Sequence, residues 1–171
     1  MKKTKKPTAI PVLPDARIGS IVGLLETLNE QGARVGISKL SESLRFELND
    51  LMPITEAAEL LGFVKIGNGD IELAELGRRV IDGDENAKKA IFRQQMTSNV
   101  LLAKRIQGEL ANSEDHRVGR EVILEFLGSS FPPDESERQV RTVVDWARYA
   151  ELFDYDSDSD QFFLPEIAET A

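Results

Sequence analysis

Apolar residues recur every three or four positions over most of this chain, and twice that rhythm gives way to strict alternation. From Arg17 to Glu30, Ile18, Ile21, Val22, Leu25 and Leu28 mark one helical face, with Asp15 placed as an N-cap and Gly32 as the stop. "GISKLSESLRF" predicts a short second helix from Ser38 with Leu40 and Leu44 inward, and a third runs from near Asn49 to Leu61. Pro53 is tolerated near that helix start, where backbone amides have no intrahelical partner to lose. Gly62 closes the helix, after which Phe63, Val64 and Ile66, the turn "GNGD", and Ile71 and Leu73 read as a β-hairpin. Three helices and a hairpin is the order of a winged helix.

The rhythm then repeats. "LAELGRRVIDG" predicts a short helix, and a long helical stretch from Glu85 to about Leu110 carries a candidate break near Ser98 or Asn99. "ANSEDHRVG" reads as loop and Arg120–Leu127 as helix. Asp134 with Glu137 three residues on suggests a capping box for a helix reaching Glu151. On that helix Val140, Val143, Val144, Ala147 and Ala150 share a face, and "LFDYDSDSDQFFL" forms a second alternating hairpin. Shifting the chain by 89 positions lays Ala58 on Ala147, Phe63 on Leu152, Val64 on Phe153 and Ile66 on Tyr155. The expectation is a mostly α protein with small β-hairpins: winged-helix-like units at 15–82 and 96–165, a helical connector at 83–95, a disordered leader at 1–14 and a flexible tail at 166–171. A single mixed helical bundle bearing two hairpins is the competing arrangement.

Composition narrows the function. The 171 residues contain no cysteine, which excludes disulfides and thiolate metal sites, and no apolar run approaches the roughly 18 residues a membrane span needs. The lysine-rich start resembles a secretory n-region, but Pro7, Pro11 and Pro14 cut its apolar stretch, so a cytoplasmic protein is expected. Four of the 21 basic residues lie in the first six positions, leaving 17 basic against 30 acidic side chains, a net of −13, over residues 7–171. Such a body repels phosphate backbones and argues against nucleic acid as a partner.

Candidate chemistry is sparse. The dipeptide Gly-Lys never occurs, so the usual phosphate-binding loop is ruled out, and "GNGD" lies inside a hairpin without the third glycine of a dinucleotide fingerprint. His116, the one histidine, sits in a polar loop. Asp154, Asp156, Asp158 and Asp160 invite a calcium reading. Counted from Asp154 or Asp156, however, positions six and twelve of the loop hold Ser159 and Pro165, or Gln161 and Ile167, instead of glycine and glutamate. No catalytic, cofactor or metal residues are assigned.

The helix "NDLMPITEAAELL" is acidic and unsuited to DNA. On the last helix Arg138, Arg141 and Arg148 fall within about 80° of one another at 100° per residue, with Asp145 on the same face. Trp146 and Tyr149 flank the apolar stripe. Arg138, Arg141, Asp145, Arg148, Trp146 and Tyr149 are therefore the candidate partner-docking residues. The bland alternative is a solvated ion-pair network with aromatic core packing.

"ITEAAELLGFVKIGNGDIELAELGRRV" and "VDWARYAELFDYD" resemble the C-terminal AAA-associated domain family, with "EAAELLGF" (56–63), "LGRRV" (76–80) and "WARYAELFDYD" (146–156) carrying most of the likeness. The resemblance extends more thinly from about Leu13 to Leu164. The family is usually fused behind the ATP-binding subunit of nitrate/sulfonate/taurine-type ABC importers. It implies a regulatory or assembly role and brings no catalytic residues. The ATPase half is absent here, so the chain reads as a stand-alone version or an excised domain. The leading expectation is a non-enzymatic, cofactor-free interaction module that docks on an ABC-type ATPase subunit, peripheral to the membrane only through that transporter. The alternative is a winged-helix transcription regulator using the arginine face and Lys2–Lys6. Oligomeric state stays open, since units of this kind can pair as homodimers through their first helix.

Overall fold

The computed structural model describes residues 9–165. Each half follows the same order. In the first, α1 (Ile18–Glu30), β1 (Arg34–Gly36), α2 (Ile37–Leu44), α3 (Leu48–Leu60), β2 (Val64–Gly67) and β3 (Asp70–Leu73) succeed one another. α4 (Glu75–Asp82) and α5 (Glu85–Asn99) connect it to the second. There α6 (Leu101–Asn112), β4 (Arg117–Gly119), α7 (Arg120–Gly128), α8 (Pro133–Tyr149), β5 (Asp154–Asp156) and β6 (Gln161–Phe163) repeat the sequence of elements. The protein is mostly α with two small antiparallel sheets, as the periodicity predicts.

The sheets have three strands, where the hairpins alone account for two. Strand orders are β1-β3-β2 and β4-β6-β5, so the last strand is central in each. β1 and β4 are both Arg-Val-Gly. Val35 pairs with Ile71 and Val118 with Phe162, and these four side chains point into the core. Three residues with one apolar position give no alternation to detect, which is why these strands read as loop. The same backbone bond closes both repeats: Ile37 N–H donates to Gly69 O at 2.9 Å, and Arg120 N–H to Asp160 O at 2.8 Å.

Turn and cap chemistry explains most boundaries. Asn68 (φ 54°) and Gly69 (φ 79°) are both left-handed, the requirement of the tight turn joining β2 to β3. Gly62 (φ 81°) follows the C-cap Leu61, while Gly62 N–H donates to Glu59 O and Phe63 N–H to Ala58 O, both at 2.9 Å. Two expected helix caps move. α1 starts after Arg17 and α8 after Pro132, with no side-chain cap at either, so neither Asp15 nor Asp134 is an N-cap. Pro132 already has the extended geometry of a cap, and Pro133 has no amide to satisfy. α5 runs to Asn99 and the helical stretch breaks at Val100 (ψ 104°), next to the break expected near Ser98 or Asn99.

α5 is packed between the halves. Its Phe92, fully buried, meets Phe63 edge-on at 5.1 Å and Tyr149 at 5.3 Å between ring centroids. Lys89 and Arg93 both reach Glu151, and Arg93 Nε donates to Ala150 O at 2.8 Å. α1 is enclosed by α3, α4, α8 and β3, with Ile21, Leu24, Leu25 and Leu28 buried. The buried apolar residues form one continuous cluster across both halves.

Gly77, in "LGRRV", lies where α4 passes over the carbonyl of Phe63; a methyl group there runs into that oxygen and into Leu73. Gly77→Ala should lower stability by about 1–3 kcal/mol. Gly108→Ala, in open space within α6, should raise it by about 0.5–1 kcal/mol through helix propensity. Urea denaturation of the two variants checks both signs.

Candidate functional site

The six residues proposed for docking lie on α8, whose burial decides what they can do. Ser136, Gln139, Val140, Thr142, Val143, Val144, Trp146 and Ala147 are all buried, so α8 is covered on more than the single apolar face its sequence shows. The extra cover comes from the start of the chain. Residues 9–14, expected as part of a disordered leader, run extended across α8 with Ile10, Leu13 and Pro14 buried, followed by buried Ala16. Residues 1–8 of that leader and 166–171 of the expected tail fall outside the described residues. Proline content suggested disorder, but proline also favours an extended, preorganised strand when apolar side chains alternate with it.

Four hydrogen bonds tie this strap down. Leu13 N–H donates to the side-chain oxygen of Gln139 at 3.1 Å, and Arg138 Nη2 donates to Leu13 O at 2.6 Å. The Trp146 indole donates to Ala16 O at 2.7 Å, and Ile10 N–H to Ser130 Oγ at 3.4 Å. Gln139 is wholly buried, and its amide group donates in turn to Glu135 Oε1 at 3.2 Å. Arg138 also holds Glu135 through Nε at 3.1 Å, which keeps the Glu135 carboxyl below the usual carboxylate range. Sequence reasoning places Arg138 and Trp146 in one cluster with the right neighbours, yet both grip the protein's own backbone.

Tyr149 is likewise turned inward. Its hydroxyl donates to Glu85 Oε1 at 3.0 Å, and burial, then the Glu85 carboxylate, pushes its pKa up to about 12. Arg148 pairs with Asp154 at 2.8 Å, and Glu137 pairs with Arg120. Arg141 and Asp145 stand exposed on the remaining flank. The structure thus separates the six: Arg138 and Trp146 at the strap, Tyr149 against α5, Arg148 against β5, and Arg141 with Asp145 in solvent. Ser130 and Gln139 belong to the strap site and were missed, because nothing in their spacing shows that residues about 120 positions earlier lie over them.

The aspartates of the β5–β6 hairpin have local partners. Asp156 accepts from Asp158 N–H and Ser159 Oγ, both at 3.0 Å, which lowers its pKa, and Asp160 accepts from the Tyr155 hydroxyl at 2.6 Å. Among the described residues no three His, Cys, Asp or Glu side chains converge to hold a metal ion. His116 lies exposed in its loop at φ 53° with Nδ1 3.1 Å from Leu110 O, at the end of α6. A groove of about 1090 Å³ opens beside it, lined by Arg117, Arg148, Glu151, Phe153, Asp154 and Phe163. Its charges are matched within the protein: Arg148 to Asp154, Glu151 to Lys89, and Arg117 over the Phe163 ring at 5.2 Å. No helix among the described residues is long and apolar enough to cross a membrane.

The fold is thus a repeated order of helices and small three-stranded sheets within one mostly α chain. The family model for the C-terminal AAA-associated domain matches residues 38–156, about seven tenths of the chain, and the protein belongs to that family. The match spans α2 to β5 and contains all six candidate residues. A search of curated proteins and one of solved structures gave no match.

Trp146→Phe removes the bond to Ala16 O and part of the buried ring volume. It should cost about 1–3 kcal/mol and raise amide exchange at Leu13 relative to α5. Tyr149 holds its proton to about pH 12 in the folded state, whereas the unfolded side chain releases it near pH 10. Stability should therefore fall between pH 10 and 12, and Tyr149→Phe should flatten that decline in pH-dependent thermal melts.

Proposed function

We propose that this chain is a non-enzymatic protein-interaction module: two winged-helix units, 15–82 and 96–165, joined through the connector and docking on the ATP-binding subunit of an ABC-type transporter to assemble or modulate it. The observation that carries this reading is membership of the C-terminal AAA-associated domain family across 38–156, a family usually fused to such ATPase subunits. Three features support it. On α8, Arg138, Trp146 and Tyr149 are bonded within the chain, to Leu13, Ala16 and Glu85. The charge outside the first six residues is strongly acidic, suited to a basic partner surface. In addition, the apolar side of α1 is packed within the chain, with Ile21, Leu24, Leu25 and Leu28 buried, and its exposed side carries the polar Glu26, Asn29 and Glu30.

DNA binding draws less support. Arg138 and Arg148, two of the three arginines it would use, are spent on Leu13, Glu135 and Asp154. The cytoplasm is the compartment this function requires.

Calorimetric titration of the purified chain with a purified ABC ATP-binding subunit tests the proposal. A saturable complex is expected, weakened roughly tenfold as salt rises from about 0.05 to 0.5 M, because screening removes the electrostatic part of the attraction. No association at roughly 100 μM of each protein would overturn it.

A further inference from the structure

The two halves use corresponding helices differently. The 89-residue shift that lays Ala58 on Ala147 also lays Asn49 on Arg138, Asp50 on Gln139 and Pro53 on Thr142. On α8 these positions lie under the strap: Gln139 has no exposed surface and Thr142 has 6%. On α3 the same positions are open, with Asn49 and Asp50 exposed and Pro53 half-buried. Leu48, 49% exposed, and half-buried Met52 lie one turn apart on the same outer side, and Phe46 in the preceding turn is 40% exposed.

That turn is held firmly. Arg45 sits at φ 56°, and Ser41 grips both backbone groups of Phe46: its carbonyl accepts from Phe46 N–H at 3.1 Å, and its hydroxyl donates to Phe46 O. Two large apolar side chains are therefore displayed by a rigid turn, where a monomer gains nothing from them. The charge differs from the α8 counterpart. Asp50 replaces the neutral Gln139, Glu47 stands exposed beside it, and from Glu47 through Leu60 there is no basic residue.

We propose that the outer face of α3 and the α2–α3 turn form a second segment-binding groove, counterpart of the one the strap fills on α8. Its occupant is an extended apolar segment carrying basic residues, supplied by a partner protein. The extended character follows from the strap that Arg138 and Gln139, the equivalents of Asn49 and Asp50, hold on α8. The apolar character follows from Phe46, Leu48 and Met52 beside them, which fall on Glu135, Glu137 and Arg141 in α8 and have no strap there. The basic character follows from Asp50 and Glu47. This deepens the docking reading above, on which it rests, by naming the surface used.

The test uses the full chain, isotopically labelled, titrated with a synthetic peptide of residues 2–14, which joins lysines to the apolar sequence AIPVLP. Amide shifts confined to the neighbourhood of residues 46–52 are expected. Asp50→Lys and Leu48→Ser should each weaken binding at least tenfold while the far-ultraviolet spectrum and thermal midpoint hold. Val122→Ser, at an exposed apolar position on α7, should leave binding unchanged. No shift at millimolar peptide, or shifts centred on α8, would overturn the proposal, as would a dimer of the chain abolished by Leu48→Ser, which would assign the face to a second copy. Binding of the ATP-binding subunit that ignores Leu48→Ser and Asp50→Lys sinks this groove but leaves docking intact. Absence of any subunit binding sinks docking, and the peptide result still decides the groove.

Discussion

The indole of Trp146 has no exposed surface, and its one hydrogen bond reaches Ala16, 130 residues earlier in the chain. An indole N–H buried without a partner costs on the order of 1–3 kcal/mol, so the ring can be enclosed only while the segment ahead of α1 stays in place. Gln139 and Arg138 impose the same condition from opposite sides, one accepting from and one donating to the backbone of Leu13. Burial of Ile10 and Leu13 adds about 1.5–3 kcal/mol each, and together these interactions make the start of the chain part of the second half. Neither half is then independent of the other.

α5 enforces the same union from the other side. Phe92 lies between Phe63 of the first half and Tyr149 of the second, and an edge-to-face aromatic arrangement contributes about 0.5–1.5 kcal/mol beyond area burial. A duplicated unit of some 65 residues is marginal alone, since small domains bury a smaller share of their surface. Strap and connector remedy this by both packing on α8. Duplication has left two helices of common layout with different fates: α8 is enclosed and polar contacts run inward from it, whereas α3 keeps an outer face that is apolar and acidic.

Helices, hairpins and the repeat itself were legible along the chain because each is a local pattern: spacing of three and four in α1 and α8, alternation around "GNGD", glycine after Leu61. The acidic α3 and arginine-bearing α8 were also legible as faces. β1 and β4 were not, since a strand of three residues is recognisable only by its partner, and Val35 and Val118 find theirs in Ile71 and Phe162. Nor was the strap: "AIPVLP" has the composition of a linker, and its order comes from α8, not from itself. The surroundings of the candidate residues were not legible either, because a helical wheel shows which side chains share a face and not what lies against it.

By itself, then, the sequence determined the helical class, the two-fold repetition, the absence of a phosphate-binding loop or thiolate metal site, and the family strings. These depend on residue identity and short spacing alone. Only the tertiary structure decided that Arg138, Trp146 and Tyr149 bond within the chain and that residues 9–16 pack on the second half. Those outcomes depend on which surfaces meet after the chain has closed over distances of 100 residues and more, and no local pattern encodes a meeting of that kind.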